Sequence, residues 1–177
     1  MENPKATLLM RLCDLLPENP TIVEIGSARS LIEDPTDGWS TVYLGRRAAT
    51  FYSVDNSAEV MAIAQRVLSR EGVHCMLIHG DGAEVLTTWD WDQPIHLLYL
   101  DSSNNPYDTF LQAKAGRRNM SPGGIIVIDD VQPIGANWFG KGTLAIPFLI
   151  QNGWTCTIEP TLWQDGNCWA MAWLRRQ

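Results

Sequence analysis

The stretch GGIIVIDDV, residues 123–131, decides how the rest of the chain is read. Four consecutive apolar residues behind a glycine pair predict a buried strand, because a strand covered on both faces needs no polar alternation. This strand ends in adjacent carboxylates, Asp129 and Asp130. One acid at a strand end can simply face solvent, whereas a pair suggests a site.

The same pattern recurs upstream. TIVEIG (21–26), TFYSVDN (50–56), VHCMLIHGD (73–81) and PIHLLYLD (94–101) each read as a strand with an acid at or near its end: Glu24, Asp55, Asp81 and Asp101. Helical patterns lie between them. SAEVMAIAQRVLSREG (57–72) has Ser57 as an N-cap and Gly72 as a stop. GAEVLTTW (82–89) and PYDTFLQAKAGRRNM (106–120) follow, and WSTVYLGRRAA (39–49) precedes. Strands alternating with helices predict a Rossmann-like, doubly wound α/β domain with a mostly parallel sheet.

At the N-terminus, residues 5–16 carry an apolar helical stripe that Pro17 and Pro20 stop. At the other end, TLAIPFLIQNG (143–153) reads as a helix that Pro147 would kink. WTCTIEPTLW (154–163) and NCWAMAWLRR (167–176) read as two strands around the turn QDGN. Trp154, Trp163, Trp169 and Trp173 are expected to pack on the sheet.

The 177 residues suit a single domain, 1–177. No apolar run approaches the roughly 20 residues that a bilayer span needs, and the N-terminus lacks a cationic segment followed by an apolar core. The expectation is a cytoplasmic protein that does not insert into membranes. Cys13, Cys75, Cys156 and Cys168 form no C-x-x-C pair and are expected as free thiols. A net charge of −7 argues against broad nucleic-acid binding, leaving only local basic pairs such as Arg46 with Arg47 and Arg117 with Arg118.

In an open parallel sheet the carboxyl ends of the strands share one edge, and ligands bind at its topological switch point. The strand-end acids therefore converge on one crevice. An acid after the second strand, as at Asp55, accepts the hydroxyls of a ribose. Neither the dinucleotide fingerprint G-x-G-x-x-G nor the triphosphate loop G-x-x-x-x-G-K-[ST] is present, which points to a nucleoside cofactor without phosphates.

VEIGSARS, SVDNS, HGDGAEVL, LLYLDSS and SPGGIIVIDDV, in this order, resemble the class I S-adenosylmethionine-dependent methyltransferases over about residues 20–131. The terminal strand pair resembles the antiparallel hairpin that closes their seven-stranded sheet. Asp101 followed by the Asp129 and Asp130 pair resembles the metal-dependent, catechol O-methyltransferase-like branch. The resemblance implies S-adenosyl-L-methionine as cofactor and methyl transfer to an oxygen of a small-molecule acceptor. It places Glu24, Gly26 and Ser27 around the methionine moiety and Asp55 on the ribose, with Asn56 and Asp101 also counted as cofactor-binding. Asp81, Gly82 and Ala83 would lie beside the adenine, with Ser102 near it. Asp101, Asp129 and Asp130 would hold Mg²⁺, or Mn²⁺ or Ca²⁺, with Asp101 and Asp129 counted as catalytic. The plainer alternative is that Asp129 and Asp130 cap the strand edge and bind loop amides.

The chain departs from that pattern in three places. The second glycine of the cofactor loop is absent or supplied by Gly38, beyond the insertion that carries Asp34 and Asp37. The general-base lysine of the catechol enzymes, three residues past the first metal aspartate, is Asn104 here, so either the metal alone suffices, another base such as His79 or Asp108 helps, or the chemistry differs. Few residues precede the first strand, so the acceptor site is either open or completed by a second subunit of a homo-oligomer. Trp138, Phe139 and Trp163 are candidate acceptor contacts. These departures keep a second reading open, a cofactor-binding module without turnover, while the missing fingerprint disfavours a nucleotide-dependent oxidoreductase.

Overall fold

The structure is a computed structural model that describes residues 3–32, 39–134, 137–164 and 167–176, with the side chains of 133–139 and 162–169 outside that description. In chain order the elements are α1 (Pro4–Cys13), β1 (Thr21–Ile25), α2 (Ser40–Gly45), β2 (Thr50–Asp55), α3 (Ala58–Glu71), β3 (Met76–His79), α4 (Gly82–Thr88), β4 (Ile95–Leu100) and α5 (Pro106–Gly116). They continue with β5 (Met120–Ile134), β6 (Asn137–Gly140), α6 (Gly142–Gln151), β7 (Trp154–Gln164) and β8 (Asn167–Arg176).

The sheet runs β3-β2-β1-β4-β5-β8-β7. The first five of these strands are parallel neighbours, while β8 joins β5 and β7 joins β8 antiparallel. This is the expected doubly wound sheet. The short strand β6, which pairs with β5, was not expected, because four residues in a glycine- and aromatic-rich connection carry no alternation to read.

Alternate residues on the central strands feed two cores. Val23, Ile25, Leu98, Leu100, Ile126 and Ile128 pack with residues of α4, α5 and α6. Ile22, Leu97, Tyr99, Ile125 and Val127 pack with Leu8, Leu9 and Leu12 of α1 and Leu44 of α2. Both faces are covered, so the strands carry near-continuous apolar runs. Trp154 and Trp173 pack on the sheet as expected. Trp163 and Trp169 lie outside the described side chains. Cys13, Cys75 and Cys156 are free thiols, and Cys168 also falls outside the described side chains.

The helices start and stop for local reasons. Asn3 caps α1 through a bond from the Ala6 amide, Ser57 caps α3 through one from the Val60 amide, and Gly72 closes α3 in the left-handed conformation. The first helix ends at Cys13 rather than 16, shortened to a turn before Pro17. Pro147 sits inside α6, which still runs through Gln151. No helix among the described residues is long and apolar enough to cross a membrane.

Candidate active site

The strand order reverses between β1 and β4, and the chain leaving each strand meets the other there. Gly26 has φ 100°, and a Cβ on it would lie 2.3 Å from the carbonyl oxygen of Asp101. Only glycine fits a left-handed residue pressed against a neighbouring backbone. Two cavities open on either side of this crossing. One is lined by Asp55, Asn56, Gly80, Asp81, Gly82, Ser102 and Asp108, among others. The second is lined by Gly26, Ser27, Ala28, Arg29, Trp39, Ser40, Asp55, Asp101 and Ser102. Asp55 and Ser102 line both, so the cavities are two halves of one crevice.

Within it Asp55 is fixed by two amides, from Ser27 at 3.0 Å and Ser57 at 2.9 Å. Each carboxylate oxygen has a second lone pair, so acceptor capacity for a ribose diol remains. Asp81 caps α4 by accepting from the Glu84 amide at 2.9 Å. Gln112 donates to the Ser102 hydroxyl at 2.8 Å. Ala83 is half-buried and is not among the lining residues. Asp55 thus sits at the middle of the crevice, where both cavities share it.

Glu24 is placed differently from its expected contact with the methionine moiety. It is fully buried and accepts hydrogen bonds from Ser40 at 2.5 Å, Thr41 at 2.6 Å and Ser53 at 2.8 Å. Ser27 in turn lies 2.7 Å from the Ser53 hydroxyl. Glu24 therefore anchors the floor beneath the crevice and lines neither cavity. Burial pushes its carboxyl up to about 7, against the three hydroxyl donors.

The strand does not end at Asp129 and Asp130 as expected: β5 runs on to Ile134, pairing there with β6, and the two acids fall at an irregularity within it. Neighbouring residues on a regular strand point to opposite faces. Here the pairing with β8 shifts between Ile128 and Val131, and Asp130 has φ 50°. This is a bulge, which inserts one residue and re-aims a side chain. Both carboxylates consequently reach the same side, and with Asp101 they bring oxygens within 4.8 Å of one another.

Two lysines fill that cluster. Lys5 of α1 donates to Asp129 Oδ2 at 2.8 Å and to Asp130 Oδ1 at 3.2 Å. Lys141, at the start of α6, donates to Asp101 Oδ1 and to Asp130 Oδ2, the latter at 3.1 Å. Tyr99 donates to Asp129 Oδ2 at 2.7 Å, and the Asp130 amide donates to Asp129 Oδ1 at 2.8 Å.

The charges set each other. Burial works against both ammonium groups, but Asp129 then Asp130 raise Lys5, and Asp101 then Asp130 raise Lys141, so both stay charged. Burial raises Asp101, with Asp129 adding to it and Lys141 opposing. Asp130 is lowered because Lys141 and Lys5 outweigh its burial.

Whether a divalent cation fits can be judged from the oxygens. Five of the six carboxylate oxygens of Asp101, Asp129 and Asp130 accept hydrogen bonds, leaving Asp101 Oδ2 without one among the described residues. Mg²⁺ needs oxygens at about 2.0–2.1 Å and Ca²⁺ at about 2.3–2.6 Å. The three acids are together as expected, but a cation among them would have to expel both ammonium groups. As arranged, the donor set does not fit a divalent ion.

Neither proposed substitute for the missing base faces this cluster. The His79 ring contacts the Asn56 carbonyl oxygen at 3.0 Å, and Asp108 accepts from Ser103 at 2.8 Å and Asn105 at 3.1 Å. Asn104 is exposed. The side chains of Trp138, Phe139 and Trp163, and residues 34, 37 and 38, lie outside the described residues.

Lys5, Lys141 and Tyr99 escaped the sequence reading, yet Lys5 left a trace. It stands three, four and seven residues before Leu8, Leu9 and Leu12 on the buried stripe of α1. A lysine on an apolar stripe signals a buried partner. Lys141 lies between Gly140 and Gly142 ahead of an apolar helix, a weaker mark.

A family model described as a methyltransferase domain matches residues 23–131. No curated protein sequence matches this one. Among solved structures, an rRNA methylase from Streptococcus thermophilus is similar with TM-score 0.73 and 15% identity, covering 99% of this chain and 98% of that one. The O-methyltransferase TomG from Streptomyces achromogenes, solved with SAM, gives TM-score 0.75 and 19% identity over 100% of this chain and 82% of that one. An O-methyltransferase from Bacillus cereus, solved with SAH, gives 0.74 and 14% over 99% and 82%. At these identities the likeness is one of fold.

Proposed function

We propose a function from this premise: the chain belongs to the methyltransferase domain family. It binds S-adenosylmethionine across the paired cavities and passes the methyl group to an oxygen of a small-molecule acceptor. The observation that carries the reading is Asp55, fixed by two backbone amides at the junction of both cavities. An acid there addresses the ribose, leaving the adenine toward Asp81 and Gly82 and the methionine toward Gly26, Ser27 and Asp101. That TomG and the Bacillus cereus enzyme were solved with SAM and SAH supports this choice of cofactor.

The cofactor supplies a sulfonium whose methyl carbon is already electrophilic. Transfer of that methyl to an acceptor hydroxyl would release S-adenosylhomocysteine as the thioether and the hydroxyl proton to water. The protein's share is alignment, since holding the two reactants in line removes much of the entropic barrier. Glu24 acts at one remove, fixing Ser40, Thr41 and Ser53 beneath the cofactor loop.

An oxygen acceptor is favoured by the acid and lysine cluster that includes Asp101, where polar groups can orient a hydroxyl. A small molecule is favoured over RNA by the net charge of −7. RNA stands as the second reading because the Streptococcus thermophilus rRNA methylase is nearly coextensive with this chain, whereas TomG extends beyond it.

Calorimetric titration with S-adenosylhomocysteine in chelated buffer tests the cofactor. Saturable binding is expected, and its absence would overturn the reading. Methyl transfer from labelled cofactor to a panel of phenols, carboxylic acids and structured RNA then separates the acceptors.

A further inference from the structure

We propose that Lys5 and Lys141 take the place of a divalent cation, making the acid cluster a centre that needs no metal. The inference concerns the site of the proposed function and rests on that reading for its catalytic meaning, while its cation chemistry can be measured separately.

The two lysines arrive from opposite faces of the sheet. Lys5 belongs to α1, which packs on one core, and Lys141 opens α6, which packs on the other. Each is buried, at 7% and 3% exposure. Each also sits at the N-terminal end of its helix, as the second residue of α1 and the N-cap of α6. Positive charge is disfavoured at that end of a helix, and an ammonium is costly to bury unless paired. Two such placements converging on one carboxylate group are explained by the acids they neutralise.

The bonding is nearly complete. Asp130 gives one oxygen to each lysine, Asp129 binds Lys5 and Tyr99, and Asp101 binds Lys141. Three carboxylates against two ammonium groups leave one net negative charge. A divalent ion would deliver the same two positive charges, which makes lysines and ion alternatives rather than partners. An acceptor hydroxyl at this site therefore meets ammonium groups instead of a Lewis acid.

The test is a titration of Mn²⁺ into the full chain, following the free ion by electron paramagnetic resonance. Wild type is compared with Lys141→Met and with Lys5→Met/Lys141→Met, and circular dichroism checks that each is folded. Wild type should leave Mn²⁺ free, and a folded variant should bind it on the order of 100-fold more tightly, because a neighbouring positive charge is gone. Micromolar Mn²⁺ binding by wild type that Asp101→Asn abolishes would overturn the proposal. So would a folded double variant that binds no better than wild type. The wild-type measurement and the single variant stand if the double variant does not fold. S-adenosylhomocysteine titration of the same samples reports on the cofactor separately: its failure beside the expected Mn²⁺ result would sink the proposed function alone.

Discussion

The ammonium of Lys5 sits 2.8 Å from Oδ2 of Asp129, a pairing across 124 residues of sequence that ties the first helix to the fifth strand. Asp129 is 1% exposed, so it has no access to water in exchange. Lys5→Met keeps the aliphatic bulk and removes the charge. Breaking a buried pair from one side costs about 3–5 kcal/mol, and the lower end is expected because Tyr99 still donates to Asp129. Urea denaturation at neutral pH measures it; an unchanged midpoint would mean the pair contributes nothing.

Glu24 gives stability a pH dependence whose sign follows from its burial. Its carboxyl rises from an ordinary 4.5 to about 7 in the folded chain. A carboxyl that holds its proton more tightly when folded stabilises the fold at low pH, and that contribution is lost as pH climbs through the folded value. The window is therefore about 4.5 to 7. Glu24→Gln has no proton to release and should flatten this part of the profile. Thermal melts of both proteins from roughly pH 5 to 8 compare the slopes, and identical slopes would contradict the assignment.

Gly26→Ala should fail for two reasons at once. The left-handed φ of 100° strains any side chain, and the new Cβ would sit 2.3 Å from the Asp101 carbonyl oxygen. Separating β1 from β4 at that point opens the crevice between them. Loss of S-adenosylhomocysteine binding together with a lowered melting temperature is the expected outcome. A variant that melts and binds like wild type would show that the crossing is looser than its geometry.

Asp55→Ala removes the acceptor of the Ser27 and Ser57 amides as well as the proposed partner for the ribose. Hydrogen bonds to a charged group contribute about 1.5–3 kcal/mol each, so calorimetry should find cofactor affinity lower by roughly 10- to 100-fold, since 1.4 kcal/mol is tenfold. An affinity within a factor of about two of wild type would move the ribose away from Asp55.

What the sequence disclosed and what it concealed divide along a physical line. The strands and helices were legible because each buries its own face: the runs at 21–26, 50–56 and 94–101 are apolar for reasons local to them. The convergence of Asp55, Asp81 and Asp101 followed from topology alone. The partners of those acids did not, because a lysine 124 positions from Asp129 carries no local mark of where its charge will land. Asp129 and Asp130 looked like ligands through their resemblance to the metal-dependent branch, and neither Lys5 nor Lys141 is marked in the sequence as their partner. Glu24 looked like a contact since its position near a strand end is shared with residues that are contacts, and only its three hydroxyl partners reveal that it faces inward.

The bulge at Asp130 bears on how such motifs are read in other chains. Its φ of 50° lies in the region where, after glycine, aspartate and asparagine are the residues most readily accommodated. A choice between aspartate and asparagine at this place is therefore what a backbone torsion would select by itself, whatever is bound. An acid at such a place records a bend in the chain first, and becomes testimony to a metal only when the oxygens beside it are free.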